Sequence, residues 1–119
     1  MVFYNKGLSL NILKQYQEAI KNFDKALELN STDPMIFNKK GLSFFYLKQY
    51  QVAINYFDKA IELDQQFSLA YQNKGVCLKY LEKYTEALKY LDKALELDPE
   101  NSLATNNRDS VLKILNNNK

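Results

Sequence analysis

Apolar and small residues recur at every third or fourth position along most of this chain, a spacing that places them on one face of a helix. In the middle of the sequence they form two such runs, Phe37, Gly41, Phe44 and Leu47, then Ala53, Phe57, Ala60 and Leu63. A short break at 48–51 separates the runs. The pattern therefore predicts two antiparallel helices, A and B, joined by a tight turn.

The same pattern occurs three times with a period of 34 residues, which indicates a repeat architecture. Gly7, Gly41 and Gly75 follow this period, as do columns of Leu, Tyr, Ala, Asp, Lys and Glu. The repeat predicts an all-α protein of about seven helices. Six of these helices are expected at 2–14, 17–30, 35–48, 51–64, 69–82 and 85–98. Asp33 and Pro34 should form the N-cap and first residue of the third helix, and Ser68 should cap the fifth.

Small residues at fixed places in each repeat indicate that its two helices pack closely. Glycine inside a helix costs about 1 kcal/mol relative to alanine, so its recurrence in every helix A needs a packing reason. Each helix B supplies a matching alanine and a large residue four positions later: Ala19 and Phe23, Ala53 and Phe57, and Ala87 and Leu91. We expect these large residues to fill the space beside the glycines. A single hairpin cannot bury its apolar face alone, so the hairpins should stabilise one another.

The repeated residues resemble the consensus of the tetratricopeptide repeat, in which an aromatic, Gly, Tyr, Ala, an aromatic and Ala stand at fixed spacing. The second unit shows them as Phe37, Gly41, Tyr50, Ala53, Phe57 and Ala60. The resemblance implies repeats at 1–33, 34–67 and 68–101, then a capping helix at 102–119 with a frayed tail from Asn116 to Asn118. It implies a right-handed superhelical stack of helix hairpins, an α-solenoid. Such a fold is a protein–protein interaction scaffold and not an enzyme.

Proteins of this family bind their ligands in a concave groove lined by the A helices. The resemblance places the following residues in that groove: Asn5, Leu8, Met35, Asn38, Lys39, Leu42, Tyr46, Leu69, Gln72, Asn73, Val76, Tyr80, Asn106 and Asn107. Several of them are carboxamides at two neighbouring repeat positions, which resembles the asparagine ladder of peptide-binding arrays. A carboxamide both donates and accepts, so it can pair with a peptide backbone whatever the peptide's side chains. The alternative explanation is that the whole chain is rich in Asn and Lys.

Charged residues separate between the two helix types. The first three A helices carry lysines and no acid before Glu82, whereas the B helices carry most of the acids. A positive groove wall would favour an acidic or C-terminal carboxylate ligand. Alternatively, the cations that share one repeat position, Lys6, Lys40, Lys74 and Arg108, pack their stems and keep only their heads in water. The sequence leaves both explanations open.

One specialised ligand class of the family can be tested against the residues. Members that clamp the terminal carboxylate of chaperones use Lys and Asn four apart on the first A helix, Asn on the second, and two cations on the third. The corresponding residues here are Tyr4, Leu8, Lys39, Leu69 and Asn73. The carboxylate clamp is therefore rejected. The residues favour a groove for an amphipathic helix or extended segment with apolar anchors and acidic flanks.

Composition limits the other classes of function. The chain has no His, its three glycines never cluster into a phosphate-binding loop, and Cys77 occupies the repeat position of Ser9 and Ser43. We therefore expect no catalysis, no cofactor and no metal, with Cys77 as a small core residue. An intracellular, cytoplasmic, soluble protein without membrane contact is expected. Two alternatives are a self-assembling module that stacks end to end within a longer array and a module that binds RNA along the groove. The net charge of only +2 argues against RNA binding.

Overall fold

The computed structural model describes residues 1–117, which form seven α-helices. Their bounds are Val2–Ile12 (α1), Tyr16–Leu29 (α2), Pro34–Tyr46 (α3), Tyr50–Leu63 (α4), Ser68–Tyr80 (α5), Tyr84–Leu97 (α6) and Ser102–Asn117 (α7). The odd-numbered helices are the predicted A helices and capping helix, and the even-numbered helices are the predicted B helices. The all-α class and the hairpin order predicted from the spacing are confirmed.

The chain divides into two compact units, Met1–Gln65 and Gln66–Lys119. The first unit contains the hairpins α1–α2 and α3–α4, and the second contains the hairpin α5–α6 followed by α7. The core of the first unit lies between its helices and is built from the repeated alanines and aromatics, including the fully buried Phe23 and Phe57. In the second unit Leu91 and Val111 are buried in the same way.

The glycines of the A helices face the large residues of the B helices, as the sequence predicts. A Cβ atom added to Gly41 would lie 2.5 Å from Cε1 of the Phe57 ring, and one added to Gly7 would lie at the same distance from Phe23. Gly75 faces Leu91, whose Cγ would be 2.8 Å from an added Cβ. The large residue thus occupies the volume in which any other side chain at the glycine position would begin.

The helix starts agree with the sequence in one case and differ in another. Asp33 is the N-cap of α3, where its Oδ1 accepts a hydrogen bond of 2.9 Å from the backbone N–H of Met35. The prediction that Ser68 caps α5 is wrong, because Phe67 is the N-cap and Ser68 is the first helical residue. The Ser68 hydroxyl donates instead to the carbonyl of Ala94 on α6, at 3.0 Å. Ser68 therefore ties the start of one helix to the end of its partner.

The helix ends differ from the prediction for a shared reason. Each A helix stops about two residues early, because Lys14, Lys48 and Glu82 adopt a left-handed backbone with φ of 61–62°. In the second hairpin the N–H groups of Lys48 and Gln49 donate to the carbonyls of Phe45 and Phe44, both at 2.9 Å. This pair of bonds is the Schellman motif, which usually has glycine at the left-handed position. Here lysine or glutamate takes that position.

We expect Lys48→Gly to raise the free energy of unfolding by about 0.5–1 kcal/mol, because glycine has no Cβ and adopts a positive φ without strain. The change is measured by urea denaturation followed by circular dichroism. Lys59→Gly makes the same substitution at an ordinary position within α4. It should lower the free energy of unfolding by up to about 1 kcal/mol. Equal effects of the two substitutions would contradict the assignment of strain to Lys48.

The C-terminal helix α7 packs against α6 through a stripe that includes the fully buried Ala104 and Val111. A capping helix is thus present from Ser102 to Asn117. Asn116 and Asn117 are the last two residues of this helix, and the fraying expected there stays a prediction. Asn118 and Lys119 lie outside the described residues, so the expectation for the rest of the tail stays a prediction.

Candidate functional site

The residues predicted to line a groove all lie on odd-numbered helices, but they differ in exposure. In the first unit Asn5, Met35 and Tyr46 are exposed, Leu8, Lys39 and Leu42 are half-buried, and Asn38 is buried. In the second unit Leu69, Tyr80 and Asn106 are exposed, Val76 and Asn107 are half-buried, and Gln72 and Asn73 are buried. Every apolar member of the set is thus at least partly exposed, whereas half of the carboxamides, Asn38, Gln72 and Asn73, are buried.

Four of the predicted residues meet in one pocket of the first unit. This pocket, called here the α1–α3 pocket, has a volume of about 560 Å³ and is lined by Leu8, Asn11, Ile12, Lys14, Tyr16, Lys39, Leu42 and Tyr46. Ligand pockets in proteins are usually about 300–1,000 Å³ in volume. The α1–α3 pocket is open to solvent and large enough to admit a bulky side chain of a partner.

Aromatic rings form one side of the α1–α3 pocket. Tyr16 and Tyr46 stack with their ring centroids 5.1 Å apart and their planes inclined by 18°. The rings of Phe45 and Tyr46 also pack edge to face, with centroids 5.3 Å apart and an interplanar angle of 72°. These contacts hold Tyr46 in place although 51% of the residue remains exposed. The pocket thus presents a preformed aromatic surface to solvent.

Asn11 contributes a polar group that the sequence analysis missed. Its Oδ1 accepts a hydrogen bond of 2.7 Å from the hydroxyl of Ser43, which fixes the carboxamide between α1 and α3. A signal for Asn11 was available in the repeat period, because its equivalent in the third A helix, Lys79, is also polar. Tyr16 was missed because it belongs to the repeated Tyr column at the start of the B helices, whereas the groove was expected on the A helices.

The lysines on the A helices have different environments. Lys39 is half-buried and lines the α1–α3 pocket, together with the exposed Lys14. Lys40 is buried, and its ammonium forms an ion pair with Asp24 and lies over the Tyr56 ring, 4.3 Å from the centroid. Burial favours a lower pKa for Lys40, but Asp24 and Tyr56 outweigh it and hold the pKa above its ordinary value.

The equivalent cations of the second unit behave like Lys40. The Lys74 ammonium lies 4.1 Å from the centroid of the Tyr90 ring, and the Arg108 guanidinium forms an ion pair with Asp92. The second explanation kept the heads of these cations in water, whereas in the structure the heads of Lys40, Lys74 and Arg108 contact side chains of the B helices. The positive charge that remains in the α1–α3 pocket comes from Lys14 and Lys39.

The buried carboxamides of the second unit form hydrogen bonds with other side chains of the same unit. Gln72 Nε2 donates to Asn73 Oδ1 at 3.2 Å, and Gln72 Oε1 accepts from Asn101 Nδ2 at 2.6 Å. Asn101 Oδ1 in turn accepts from the N–H of Ala104 at the start of α7. Asn107 accepts a hydrogen bond from Lys79, at 3.3 Å. These bonds fix α7 on its hairpin, and the ladder as a ligand-binding device stays a prediction.

Tyr4 occupies the first of the positions tested for a carboxylate clamp. Its ring packs on Phe23 with the centroids 6.0 Å apart. Burial, with a smaller contribution from the negative charge of Asp33, raises the pKa of the Tyr4 hydroxyl above its ordinary value. Tyr4 is therefore a neutral, half-buried aromatic packed against the core, and it carries no charge toward a ligand.

The part of the chain that the structure describes also shows how the side chains suited to metal binding or nucleophilic chemistry are placed. Residues 1–117 contain no group of three His, Cys, Asp or Glu side chains arranged to hold a metal ion. Cys77 is fully buried, and burial raises the pKa of its thiol to about 12. None of the described helices is both long and apolar enough to span a membrane. Cys77 is thus a core residue, as its repeat position predicts.

The buried thiol gives the folding stability a pH dependence. The unfolded thiol ionises near its ordinary pKa of 9.0, whereas the folded thiol stays protonated to about 12. The unfolded state therefore binds fewer protons over this interval, and the free energy of unfolding should fall by at most about 1.4 kcal/mol per pH unit above pH 9. Well below pH 9, where the thiol is protonated in both states, it has no effect. Urea denaturation of the wild type and of Cys77→Ala at several pH values isolates this contribution, and parallel curves above pH 9 would contradict it.

Helix hairpins that pack a small residue of one helix against a large residue of the other, repeated along the chain, define a helical-repeat protein. Two models of the tetratricopeptide repeat match this chain, one over residues 1–33 and 68–101 and the other over residues 34–67. The chain therefore belongs to the tetratricopeptide repeat family. Comparison with curated proteins finds no match.

Solved tetratricopeptide domains have the same fold. The first such domain of Spaghetti (RPAP3), bound to the HSP90 peptide SRMEEVD, is 29% identical with a TM-score of 0.91, and the match covers 96% of this chain and 90% of that chain. The first such domain of human RPAP3 is 28% identical with a TM-score of 0.93, covering 98% and 91%. The Arabidopsis OM64 domain is 27% identical with a TM-score of 0.91, covering 94% and 93%.

Proposed function

We propose that this chain is a protein-interaction module that binds a segment of a partner polypeptide on the odd-numbered helices of its first unit, with the α1–α3 pocket as the main anchor. The observation that carries the proposal is the pocket itself. It brings together Leu8, Lys39, Leu42 and Tyr46, which the family resemblance indicates as groove residues. The peptide bound to the first Spaghetti (RPAP3) domain supports a polypeptide as the ligand class.

The lining of the pocket favours binding over chemistry. Its apolar walls can bury a side chain, and Asn11 and the lysines can pair with polar groups of a partner. Its lining residues, which lie within the described part of the chain, include no carboxylate, His or Cys that could act as a general base or nucleophile. The tetratricopeptide fold is itself a scaffold for protein interactions.

We further propose that the ligand is not held by a terminal carboxylate clamp. Lys39 is the one cation among the five clamp positions. Tyr4 is neutral, Leu8 and Leu69 are apolar and Asn73 is buried, so the clamp positions offer no pair of charge-assisted donors. An internal segment of a partner, anchored by apolar side chains, fits these residues better. A helical segment and an extended segment are both compatible with such an anchor.

A random peptide display library, selected on the whole chain, tests the proposal directly. We expect selected peptides to bind with micromolar affinity, about −8 kcal/mol. Leu42→Glu should weaken them at least tenfold, because it places a charge in the apolar wall. Fluorescence anisotropy with labelled peptides measures the effect, and circular dichroism checks that the variant is folded. Tyr46→Ala, which alters an exposed residue, is a second variant for the same wall.

Two controls accompany this test. Val52→Glu places the same charge on a residue of α4 that is 36% exposed and outside the pocket, and it should leave binding unchanged. The peptide SRMEEVD should bind weakly, and equally well with a free or an amidated C-terminus. Failure to select any peptide, or selected peptides that are indifferent to both Leu42→Glu and Tyr46→Ala, would refute the proposed function.

A further inference from the structure

We propose that the α1–α3 pocket selects an aromatic side chain that has a carboxylate next to it in the partner's sequence. This inference rests on the proposed function and specifies the chemistry of its ligand. It comes from three features of the pocket that act together: an exposed aromatic surface, a surplus of positive charge and a fixed carboxamide.

The aromatic preference follows from the walls of the pocket. The stacked rings of Tyr16 and Tyr46 leave half of Tyr46 exposed beside Leu42, and Ile12 is 81% exposed at the rim. A partner ring can stack on Tyr46 while its edge contacts the aliphatic side chains. Aromatic pairs contribute about 0.5–1.5 kcal/mol beyond the area they bury, so a ring gains more here than an aliphatic side chain of similar size.

The carboxylate preference follows from the charges of the pocket. Lys14 and Lys39 are the charged members of its lining, and the lining contains no acid. The acid nearest in sequence to Lys14, Glu18, forms an ion pair of 3.2 Å with Lys21. The pocket therefore carries two positive charges that its own lining residues do not balance. A carboxylate beside the partner's aromatic residue can approach both ammonium groups.

Asn11 adds a contact to the partner's backbone. The Ser43 hydroxyl holds Asn11 Oδ1, which orients the Asn11 Nδ2 group away from that bond. A carboxamide N–H₂ can donate to a peptide carbonyl whatever the side chain of that residue. The pocket thus combines one contact that is independent of sequence with two that read side chains.

Four capped heptapeptides of one design test the preference. The first has Phe at its centre and Glu on both sides, the second replaces the two Glu residues by Gln, the third replaces them by Lys, and the fourth replaces Phe by Ala. Titration of the whole chain, followed by two-dimensional NMR, gives each dissociation constant. We expect the Gln peptide to bind about three- to tenfold more weakly than the Glu peptide, and the Lys peptide more weakly still. The Ala peptide should bind at least tenfold more weakly.

Matched lysine variants locate the charge effect. Lys14→Gln combined with Lys39→Gln should remove the difference between the Glu and Gln peptides. Lys48→Gln is the control, because Lys48 has the same left-handed backbone (φ of 62°) as Lys14 but does not line the pocket. The wild-type difference should also shrink at high salt, where exposed charges are screened.

The outcomes separate this inference from the proposed function. Equal affinities for the Glu and Gln peptides, an Ala peptide as strong as the Phe peptide, or no binding of the Glu peptide at millimolar concentration would each overturn the aromatic and carboxylate preference. If library-selected peptides still depended on Leu42 in that case, the proposed function would stand and only this ligand chemistry would fail. If neither set of peptides depended on the pocket, both would fail.

Discussion

Replacing Phe57 with alanine is expected to lower the free energy of unfolding by about 3–5 kcal/mol. Phe57 is fully buried, and its ring lies against the backbone of Gly41 on the neighbouring helix. Alanine removes the ring and leaves a cavity that glycine, having no side chain, cannot fill. A chain of this size has a total stability of about 6–18 kcal/mol, so the loss is a large part of the whole.

Urea denaturation followed by circular dichroism measures this loss, and two further variants calibrate it. Phe57→Leu should cost only about 1–2 kcal/mol, because the equivalent position of the third repeat holds the fully buried Leu91. Val52→Ala, on the same helix but 36% exposed, should change stability by no more than about 0.5 kcal/mol. An effect of Phe57→Ala as small as that of Val52→Ala would show that the ring is not a central element of the core.

The sequence predicted most of this fold because the period of 34 residues states the same pattern three times. A single run such as Phe37, Gly41 and Phe44 is ambiguous, whereas its recurrence fixes the helical interpretation and the hairpin boundaries. The ends of the A helices were predicted about two residues late, because the left-handed positions hold Lys14, Lys48 and Glu82. The usual glycine signal for a helix end is absent there.

The misplaced cap at Ser68 shows how two signals can conflict. Serine is a favourable N-cap, and the preference of the residue type suggested that role. The repeat period gave the opposite indication, because Ser68 stands at the position of Pro34, the first residue of α3. Where a repeat is strong, the position within it is a better guide than the preference of one residue.

The candidate site was predicted only in part. Leu8, Lys39, Leu42 and Tyr46 were chosen through the family resemblance and meet in one pocket, whereas Asn11 and Tyr16 join them there. The sequence could not show which carboxamides form hydrogen bonds with other side chains of the chain. The hydrogen bond between Gln72 and Asn101 joins residues far apart in the chain, and no repeating pattern marks it.

The ion pairs formed by Lys40 and Arg108 could have been predicted from the sequence. Asp24 precedes Lys40, and Asp92 precedes Arg108, by the same interval, and both pairs form ion pairs in the structure. This equal spacing is a property of the amino-acid sequence alone. It distinguishes these cations from Lys39, which has a different repeat position and lines the pocket.

Gly41→Ala is expected to lower the free energy of unfolding by about 2–3 kcal/mol, although alanine is the better helix former by about 1 kcal/mol. The new Cβ would lie 2.5 Å from Cε1 of Phe57, a distance that real side chains do not tolerate. The ring is fully buried, so it can move away only by displacing other core residues. The measurement is again urea denaturation, and a neutral or stabilising effect would contradict the close packing.

A double-mutant cycle with Phe57→Ala identifies the cause of this loss. Once the ring is absent, the added methyl group enters the empty volume and the helix propensity of alanine remains. Gly41→Ala should therefore raise the free energy of unfolding of the Phe57→Ala variant by up to about 1 kcal/mol, whereas it lowers that of the wild type. If Gly41→Ala were equally destabilising in both backgrounds, the two residues would be energetically independent. The glycine would then owe its recurrence to something other than the ring it faces.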